Sequence, residues 1–372
     1  MIYLICFAAS VALAFFANRA TRKRYLWLFS ALSILVVVLL AGLREYHIGT
    51  DTYHYYSYKR YWLGATSYDS LWEYMRYYMS IGYGEPLFAL LVGVIGQVFG
   101  HYSVLLFVVH GVIISCVYIG AFRFRKYVEP AWFLLLFYLF YFGQSLNIMR
   151  QYMAMAIVFV AFADIQKRKY IRYGIAVAIA TLIHTSALLS VLPLVFWFIL
   201  KVRWSPLDKT PWIRWAVVLG LTLAALIFLP LLAKILMYIG ILSDKYSFYF
   251  SKDSVEPAIL SSLFAIAGLS GIILFRKVLR RRCRQFPFYA LNSITFFLLM
   301  QFSWVMAYGK RLAAYQLLPN LLAVAMLERV HKTKYNKWIM RFLLLGAGLA
   351  YWAYAYVLRN ASQTMPYRFF FS

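Results

Sequence analysis

Residues 25–43, YLWLFSALSILVVVLLAGL, contain no charged side chain. A helix rises about 1.5 Å per residue, so a run of this length can cross the hydrocarbon core of a bilayer. Similar apolar runs recur along the whole chain, which is 64% hydrophobic and 13% charged with a mean hydropathy of +0.71. This composition excludes an ordinary soluble domain. The sequence predicts an all-α polytopic integral membrane protein, with a single transmembrane domain over residues 1–372.

The apolar runs predict about 12–13 transmembrane or re-entrant helices, several of which are too short to cross a bilayer alone. They lie near residues 2–17, 25–43, 86–100, 103–121, 131–146, 150–165, 173–184, 187–200, 215–233, 258–275, 287–307, 312–327 and 338–358. The region 86–121 connects a predicted external segment to a basic loop on the cytoplasmic side, so it must cross the membrane an odd number of times. It nevertheless divides into two segments at FGHYS (99–103). One of these two segments is therefore predicted to be a half-helix or a re-entrant piece.

The charges of the chain indicate its orientation in the membrane. Lys and Arg number 38 against 12 Asp and Glu, a net charge of +26, and they cluster in short loops such as RATRKR (19–24) and RKVLRRRCR (276–284). Short basic loops mark the cytoplasmic side. Eight of the twelve acids fall within 44–85 and 234–257, which we predict to be external loops. The loop distribution accounts for the basic residues, so nucleic acid is not a predicted partner. The three cysteines are isolated, without disulfide or metal-ligand spacing.

Polar residues gather at the predicted outer ends of the apolar runs, where ionisable side chains are expensive and indicate function. In AGLREYHIGTDTYHYY (41–56), Arg44 and Asp51 stand near several tyrosines. Asp51 could simply cap a helix after a turn at Gly49. The alternative is that the carboxylate acts as an acid or base toward a sugar hydroxyl.

Two further stretches carry the same ambiguity. In SLNIMRQYMAMA (145–156), Arg150 and Gln151 interrupt the apolar sequence, either as residues of a hairpin turn with a snorkelling arginine or as a clamp for pyrophosphate. In TLIHTSALL (181–189), His184 is either a satisfied buried histidine or a catalytic group.

The remaining candidates are a cation and a second carboxylate. Arg311, followed by Tyr315 in AYGKRLAAYQLLPN (307–320), is either a loop cation or a second phosphate contact. Glu85 precedes a proline at a predicted helix start, where a carboxylate is electrostatically favourable, and it also reaches the same face as Asp51. Together these groups predict an outward-facing site for an anionic, polyhydroxylated ligand.

The motifs LREYHIGTDTYHYY, EPLFALL, LNIMRQYMAMAIVFVAFADIQKRKY, IATLIHTSALLSVLPL and GKRLAAYQLLPN resemble, in this order, the EpsG family of Wzy-like bacterial polysaccharide polymerases. The resemblance covers about residues 40–320. It implies a GT-C-like glycosyltransferase at the external face of the bacterial cytoplasmic (inner) membrane. Such an enzyme joins undecaprenyl-diphosphate-linked oligosaccharide repeat units into exopolysaccharide, capsule or O-antigen. A flippase and a chain-length regulator are its expected partners besides the lipid bilayer.

On this resemblance we expect Arg150 and Arg311 to bind the diphosphate, with Tyr315 close by. Asp51 is the preferred base, with His184 as its competitor. Arg44 and Gln151 are expected to orient the substrate, and Glu85 to position the acceptor or Arg44. No cofactor is expected. Asp51 and Glu85 could bind Mg²⁺, but no ligand spacing demands a metal.

Three other functions fit parts of the pattern. An O-antigen-ligase-like enzyme or another GT-C glycosyltransferase would share the same chemistry. A flippase or other transporter of lipid-linked oligosaccharide would predict internal repeats and polar residues at the bilayer midplane, neither of which is evident. A membrane O-acyltransferase would place its donor site on the cytoplasmic side, whereas His184 is predicted to lie outside.

Overall fold

The protein is represented by a computed structural model that describes residues 1–82, 84–201, 259–304, 309–330 and 333–371, with single positions between 216 and 238. These residues form helices and turns, with no β-strand among them and a single antiparallel bridge between Arg44 and Phe369. Four described helices are long and apolar enough to cross a membrane, or five if a bent pair counts as one span. The predicted all-α polytopic membrane protein is confirmed.

The chain divides into two compact units, residues 1–188 with 331–372 and residues 189–330. The helices of the first part are α1 (Ile2–Arg19), α2 (Lys23–Gly42), α3 (Thr50–Ser57), α4 (Trp62–Ser67), α5 (Leu71–Ser80), α6 (Pro86–Phe99), α7 (Tyr102–Arg123), α8 (Pro130–Asn147), α9 (Met149–Gln166) and α10 (Tyr170–Ile183). The second unit contains α11 (Val191–Lys201), α12 (Ile259–Leu274), α13 (Arg276–Arg282), α14 (Phe286–Met300) and α15 (Ala314–Ala325). The first unit is completed by α16 (Lys334–Trp352).

Hydroxyl groups join three helices inside the first unit. The Ser10 hydroxyl of α1 lies 2.8 Å from the Ser33 carbonyl of α2 and 2.9 Å from the Tyr138 hydroxyl of α8, and both serines are fully buried. Small residues let helices approach closely in a membrane, and each buried hydroxyl needs a partner there. The three side chains satisfy one another, which fixes α1 and α2 against α8.

An ion pair joins α7 to α9 at their ends nearest the basic loops. Arg123 donates from Nη2 to Asp164 Oδ1 at 2.5 Å and from Nη1 to Oδ2 at 3.1 Å, and Asp164 is buried. A bidentate pair of this kind is geometrically specific. It sets the register of the two helices that lead from the basic side to the candidate site.

The region 86–121, which was predicted to contain one spanning segment and one half-helix or re-entrant piece, forms one long and one short helix. Helix α6 has 14 residues and α7 has 22, so α6 is the member too short to span alone. They are separated at Gly100, whose φ of 64° ends α6 in the left-handed conformation that glycine adopts without strain.

The predicted external segment 44–85 is largely helical, because it contains α3, α4 and α5. In α5 the Ser70 side chain caps the helix by accepting a hydrogen bond from the Glu73 amide. The other predicted external loop, 234–257, and the predicted span 215–233 lie almost entirely outside the described residues. The helix count, the single domain and the GT-C likeness stay predictions.

Candidate active site

Helix α3 begins at a glycine that no other residue could replace without strain. Gly49 is its N-cap residue and has φ of 98°, and a Cβ atom there would lie 2.6 Å from Thr52 Oγ1 and 3.0 Å from the Leu146 carbonyl. The predicted turn at Gly49 is confirmed. Neither Thr50 nor Asp51 is the N-cap residue. Asp51 lies in the first turn of the helix, where the helix dipole stabilises a carboxylate.

The end of α8 holds the start of α3. Asn147 Oδ1 accepts hydrogen bonds from the Asp51 amide at 2.5 Å and from Thr50 Oγ1 at 3.1 Å. The Leu146 carbonyl accepts another from Thr52 Oγ1 at 2.9 Å. Two motifs that are about a hundred residues apart in sequence, GTD and LNIMRQ, are thereby joined into one structure.

Arg44 also contacts this junction but is completely buried. Its guanidinium donates to the carbonyls of Ala41 at 2.7 Å and Leu146 at 2.8 Å, and Nη1 lies 3.4 Å from His110 Nε2. Burial lowers the pKa of Arg44 to about 10, so the side chain stays charged at neutral pH. This placement favours a structural role, and orientation of the substrate by Arg44 stays a prediction.

A segment that the sequence analysis did not single out, residues 360–371, folds over the same junction. Glu45 and Phe370 donate backbone hydrogen bonds to the carbonyls of Arg368 and Leu43, at 3.0 and 2.9 Å. Asn147 Nδ2 donates to Ser362 Oγ at 3.2 Å. The segment has no apolar periodicity, so its pairing could not be read from a local pattern.

The centre of the site is Glu85, which is buried at the N-cap position of α6. Its Oε1 accepts from His184 Nδ1 at 2.5 Å and from the Thr185 amide at 3.3 Å, and its Oε2 pairs with Arg150 Nη1. Burial alone would raise the pKa of Glu85, but the His184 hydrogen bond and the Arg150 charge outweigh it and lower the pKa. Glu85 is therefore an ionised carboxylate that joins α6, α9 and the end of α10.

Arg150 is enclosed by aromatic rings as well as by Glu85. Its Nε donates to Tyr55 Oη at 3.2 Å, and its guanidinium carbon lies 5.1, 5.0 and 5.7 Å from the ring centres of Tyr55, Tyr61 and Phe88. Cation–π contacts of this kind hold a guanidinium in one orientation. Only 16% of the Arg150 side chain is exposed, so this is not a snorkelling arginine on a lipid surface.

His184 ends α10 and presents one ring nitrogen to Glu85. A carboxylate can only accept, so Nδ1 carries the proton of that hydrogen bond, and Nε2 of the neutral ring is left with its lone pair. The side chain is 23% exposed. A carboxylate that fixes the tautomer of a partly exposed imidazole is the arrangement by which proteins prepare a general base.

Asp51 lies on the side of α3 that carries Tyr55, because residues four apart share a helix face. Asp51 is therefore one helical turn from Tyr55, whose hydroxyl accepts a hydrogen bond from Arg150. Gln151 follows Arg150 in α9 and is 3% exposed. Of the predicted site residues, the structure brings Glu85, Arg150 and His184 into direct contact.

The other two predicted residues belong to the second unit. Arg311 lies in the 3-10 helix Gly309–Ala313, and Tyr315 is buried in the first turn of α15. Their part in substrate binding stays a prediction.

Three further residues of the site were not predicted from the sequence: Phe88, Thr185 and His110. A lone histidine in an apolar run was the reason to consider His184, and the same signal would have pointed to His110 beside Arg44. Phe88 and Thr185 carry no such signal, because an aromatic and a hydroxyl residue are ordinary at helix ends. Their roles depend on contacts between helices that are distant in sequence.

The fold and the site together define a multi-pass helical membrane protein with a charged cluster assembled at helix ends. A model of the EpsG protein family matches residues 27–369, nearly the whole chain. The chain belongs to the EpsG family, as the motifs indicated, and this family suggests a Wzy-like polysaccharide polymerase of glycosyltransferase type. No curated protein and no solved structure matches the chain.

Proposed function

We propose that this protein joins undecaprenyl-diphosphate-linked oligosaccharide repeat units into a polysaccharide at the external face of the bacterial cytoplasmic membrane. The growing chain would leave its lipid diphosphate and attach to a hydroxyl of the incoming unit. The observation that carries the proposal is the contact of Glu85 with both His184 and Arg150. It supplies a base and a cation at one place, which are the two groups that this transfer requires.

In this proposal His184 is the base, in preference to Asp51. Nε2 accepts the proton of the acceptor hydroxyl as its oxygen forms the new bond to the anomeric carbon. The ring then becomes positively charged, and Glu85 at Nδ1 stabilises that charge while keeping the ring oriented. Asp51, one helical turn from Tyr55, is assigned to binding acceptor hydroxyls.

Arg150 is assigned to the diphosphate leaving group. A guanidinium has five N–H donors, and Tyr55 and Glu85 take one each. The remaining donors can bind phosphate oxygens as negative charge develops on the leaving group. Because Glu85 neutralises Arg150, the site becomes net positive only when His184 takes up the proton, which is when the leaving group needs a cation.

The other predicted groups keep supporting roles. Gln151 beside Arg150 is proposed to orient the substrate, and Arg311 with Tyr315 to contact the lipid-linked donor. A metal bridging Asp51 and Glu85 fits poorly, because a cation there would compete with Arg150 for Glu85 Oε2. Among the described residues, no group of three or more His, Cys, Asp or Glu could hold a metal ion. A flippase and a chain-length regulator remain the proposed partners.

The test uses the purified protein in liposomes with its undecaprenyl-diphosphate-linked repeat unit, and the length of the products is measured. Wild type should make a ladder of polymers. His184→Ala should slow the transfer by about 10²–10⁴-fold, the usual worth of a general base. His101→Ala is the matched control, because His101 is an exposed histidine at the start of α7.

Three outcomes would contradict the proposal. A ladder that survives in His184→Ala but disappears in Asp51→Asn would make Asp51 the base. A wild-type protein that moves the lipid-linked unit across the bilayer without extending it would be a transporter, and one that transfers a finished glycan to another lipid once would be a ligase.

A further inference from the structure

Four aromatic side chains pack against one another beside the GTD turn, and we call them the aromatic platform: Tyr46, His47, Tyr53 and Tyr56. The rings of Tyr46 and Tyr56 lie 4.5 Å apart at 20°, and those of His47 and Tyr53 lie 5.4 Å apart at 13°. Tyr46 and Tyr53 are also nearly parallel, 6.4 Å apart at 24°. Tyr46 and His47 are closer, 4.2 Å apart, and are tilted by 37°. Rings from the loop before α3 and from α3 itself therefore form one packed cluster.

The platform is open to its surroundings. Tyr53 is 45% exposed, Tyr56 is 36% exposed, and more than half of the His47 side chain is accessible. A carboxylate borders it, because Glu45 Oε1 lies 3.0 Å from His47 Nδ1. The platform thus combines exposed aromatic surface with phenol hydroxyls, an imidazole and an acid.

This combination argues against a lipid-facing aromatic belt. Belt residues are tyrosines and tryptophans that anchor a span at the level of the headgroups. The platform lies instead in the turn before α3 and in α3, where its rings pack on one another and border an imidazole–carboxylate pair. A sugar ring suits the platform better, because it offers apolar C–H groups to an aromatic surface and hydroxyls to the polar atoms at its border. Tyrosine supplies such amphipathic contact area at low conformational cost.

The platform is also held in place before any ligand binds. The Glu45 amide donates a hydrogen bond to the Arg368 carbonyl at 3.0 Å, and the Ile48 amide donates one to the Glu45 carbonyl at 3.1 Å. The ring of Tyr56 meets Tyr102 edge to face at 5.2 Å. Fixed side chains lose little conformational entropy on binding, which favours recognition of a weakly apolar ligand.

We propose that the aromatic platform is a binding site for a sugar ring of the oligosaccharide substrate, beyond the ring that reacts. The inference rests on the proposed function, since it assigns a specificity site to that reaction. Tyr55, which contacts Arg150, stands between Tyr53 and Tyr56 in α3, so one short helix serves both places. A substrate of several sugars would contact the reacting groups and the platform together.

The experiment measures binding without requiring catalysis. The organism's own polysaccharide is hydrolysed to short oligosaccharides, and their binding to the detergent-solubilised full chain is followed by saturation-transfer NMR and calorimetry. Tyr53→Ala and Tyr56→Ala should each weaken binding about tenfold, in line with the loss of one aromatic contact. In the polymerisation assay the same variants should raise KM for the repeat unit and leave kcat nearly unchanged.

Controls separate binding from folding. Trp72→Ala removes a more exposed aromatic residue, 69% accessible, from α5 outside the platform, and should change nothing. Tyr53→Phe keeps the ring and should retain most of the affinity. Unchanged binding in both alanine variants, or equal losses in Trp72→Ala, would overturn the inference. If the wild-type protein binds the oligosaccharides but makes no polymer, the platform is still a sugar-binding site and the proposed polymerase function is contradicted.

Discussion

Glu85 lies at the start of α6 with both carboxylate oxygens occupied, one by His184 and the Thr185 amide and the other by Arg150. Arg150 belongs to α9, whereas His184 and Thr185 are neighbours at the end of α10. A buried carboxylate with these partners holds the His184 and Arg150 side chains in place, and it stabilises the fold only while it is ionised.

The first prediction concerns the acid stability of the protein and the variant Glu85→Gln. The pKa of Glu85 is lowered in the folded state, so its ionised form contributes stability above the unfolded value near 4.5. This contribution is lost as the pH falls through the lower, folded-state pKa. Wild type should therefore melt well above Glu85→Gln at pH 7, and the difference should shrink below pH 4.5.

Thermal unfolding in detergent at several pH values measures this difference. Glu129→Gln serves as a control at the N-cap position of α8, because Glu129 is a second acid directly before a proline. A difference between wild type and Glu85→Gln that stays constant from pH 7 to pH 4 would contradict the assigned ionisation of Glu85.

At this scale the sequence identified Glu85, Arg150 and His184 as polar residues in expensive positions, and the structure brings the three together. It could not predict their pairing. Glu85 and His184 are 99 residues apart, and local periodicity carries no information about which helix ends meet. For the same reason Glu85 was expected beside the acceptor or Arg44, whereas its contacts are Arg150 and His184.

At the scale of the element, α3 depends on the backbone conformation of its N-cap residue, Gly49. Gly49→Ala would place a Cβ atom within 2.6 Å of Thr52 Oγ1 and would also force a left-handed φ. The second prediction is a loss of about 1–2 kcal/mol for the left-handed conformation and about 1–3 kcal/mol more for the overpacking. Activity should fall with stability, because α3 carries Tyr55 and Asp51.

Gly100→Ala is the matched control. Gly100 has φ of 64°, but a Cβ atom there would meet nothing within 4 Å, so only the backbone cost applies. The unfolding free energies of the two variants should differ by the overpacking cost. If they are equally stable, the clash at Gly49 is relieved by movement of the junction with α8.

The helices themselves were predictable because apolar length is a local property. The runs 25–43 and 103–121 correspond closely to α2 and α7. The segment 360–371 was not predictable. It is held by hydrogen bonds to distant residues, such as that from Tyr367 Oη to the Leu40 carbonyl at 2.8 Å, and nothing in its own sequence requires them.

At the scale of the whole molecule, the arrangement in the membrane can be tested directly. The third prediction is that Thr50→Cys reacts with a membrane-impermeant maleimide in intact cells, whereas Arg284→Cys reacts only after permeabilisation. Both positions are exposed, so the difference reports sidedness and not burial. The native cysteines Cys6, Cys116 and Cys283 are first replaced by serine or alanine.

Labelling of both positions from outside would contradict the orientation given by the basic loops, and labelling of Arg284→Cys alone would reverse it. The reversed result would also contradict the external position of the site in the proposed function.

Composition predicted the membrane class because the bilayer imposes length and apolarity on every span. It could not predict the division into two units, which depends on contacts between helices.

The pairing of residues 360–371 with the beginning of the molecule has a consequence for biosynthesis. Tyr3 donates a hydrogen bond to the Thr364 carbonyl, and these residues are 361 positions apart. Ribosomes deliver the GTD turn to the membrane long before the segment that covers it. The early helices therefore enter the membrane before the segment that completes these hydrogen bonds has been synthesised.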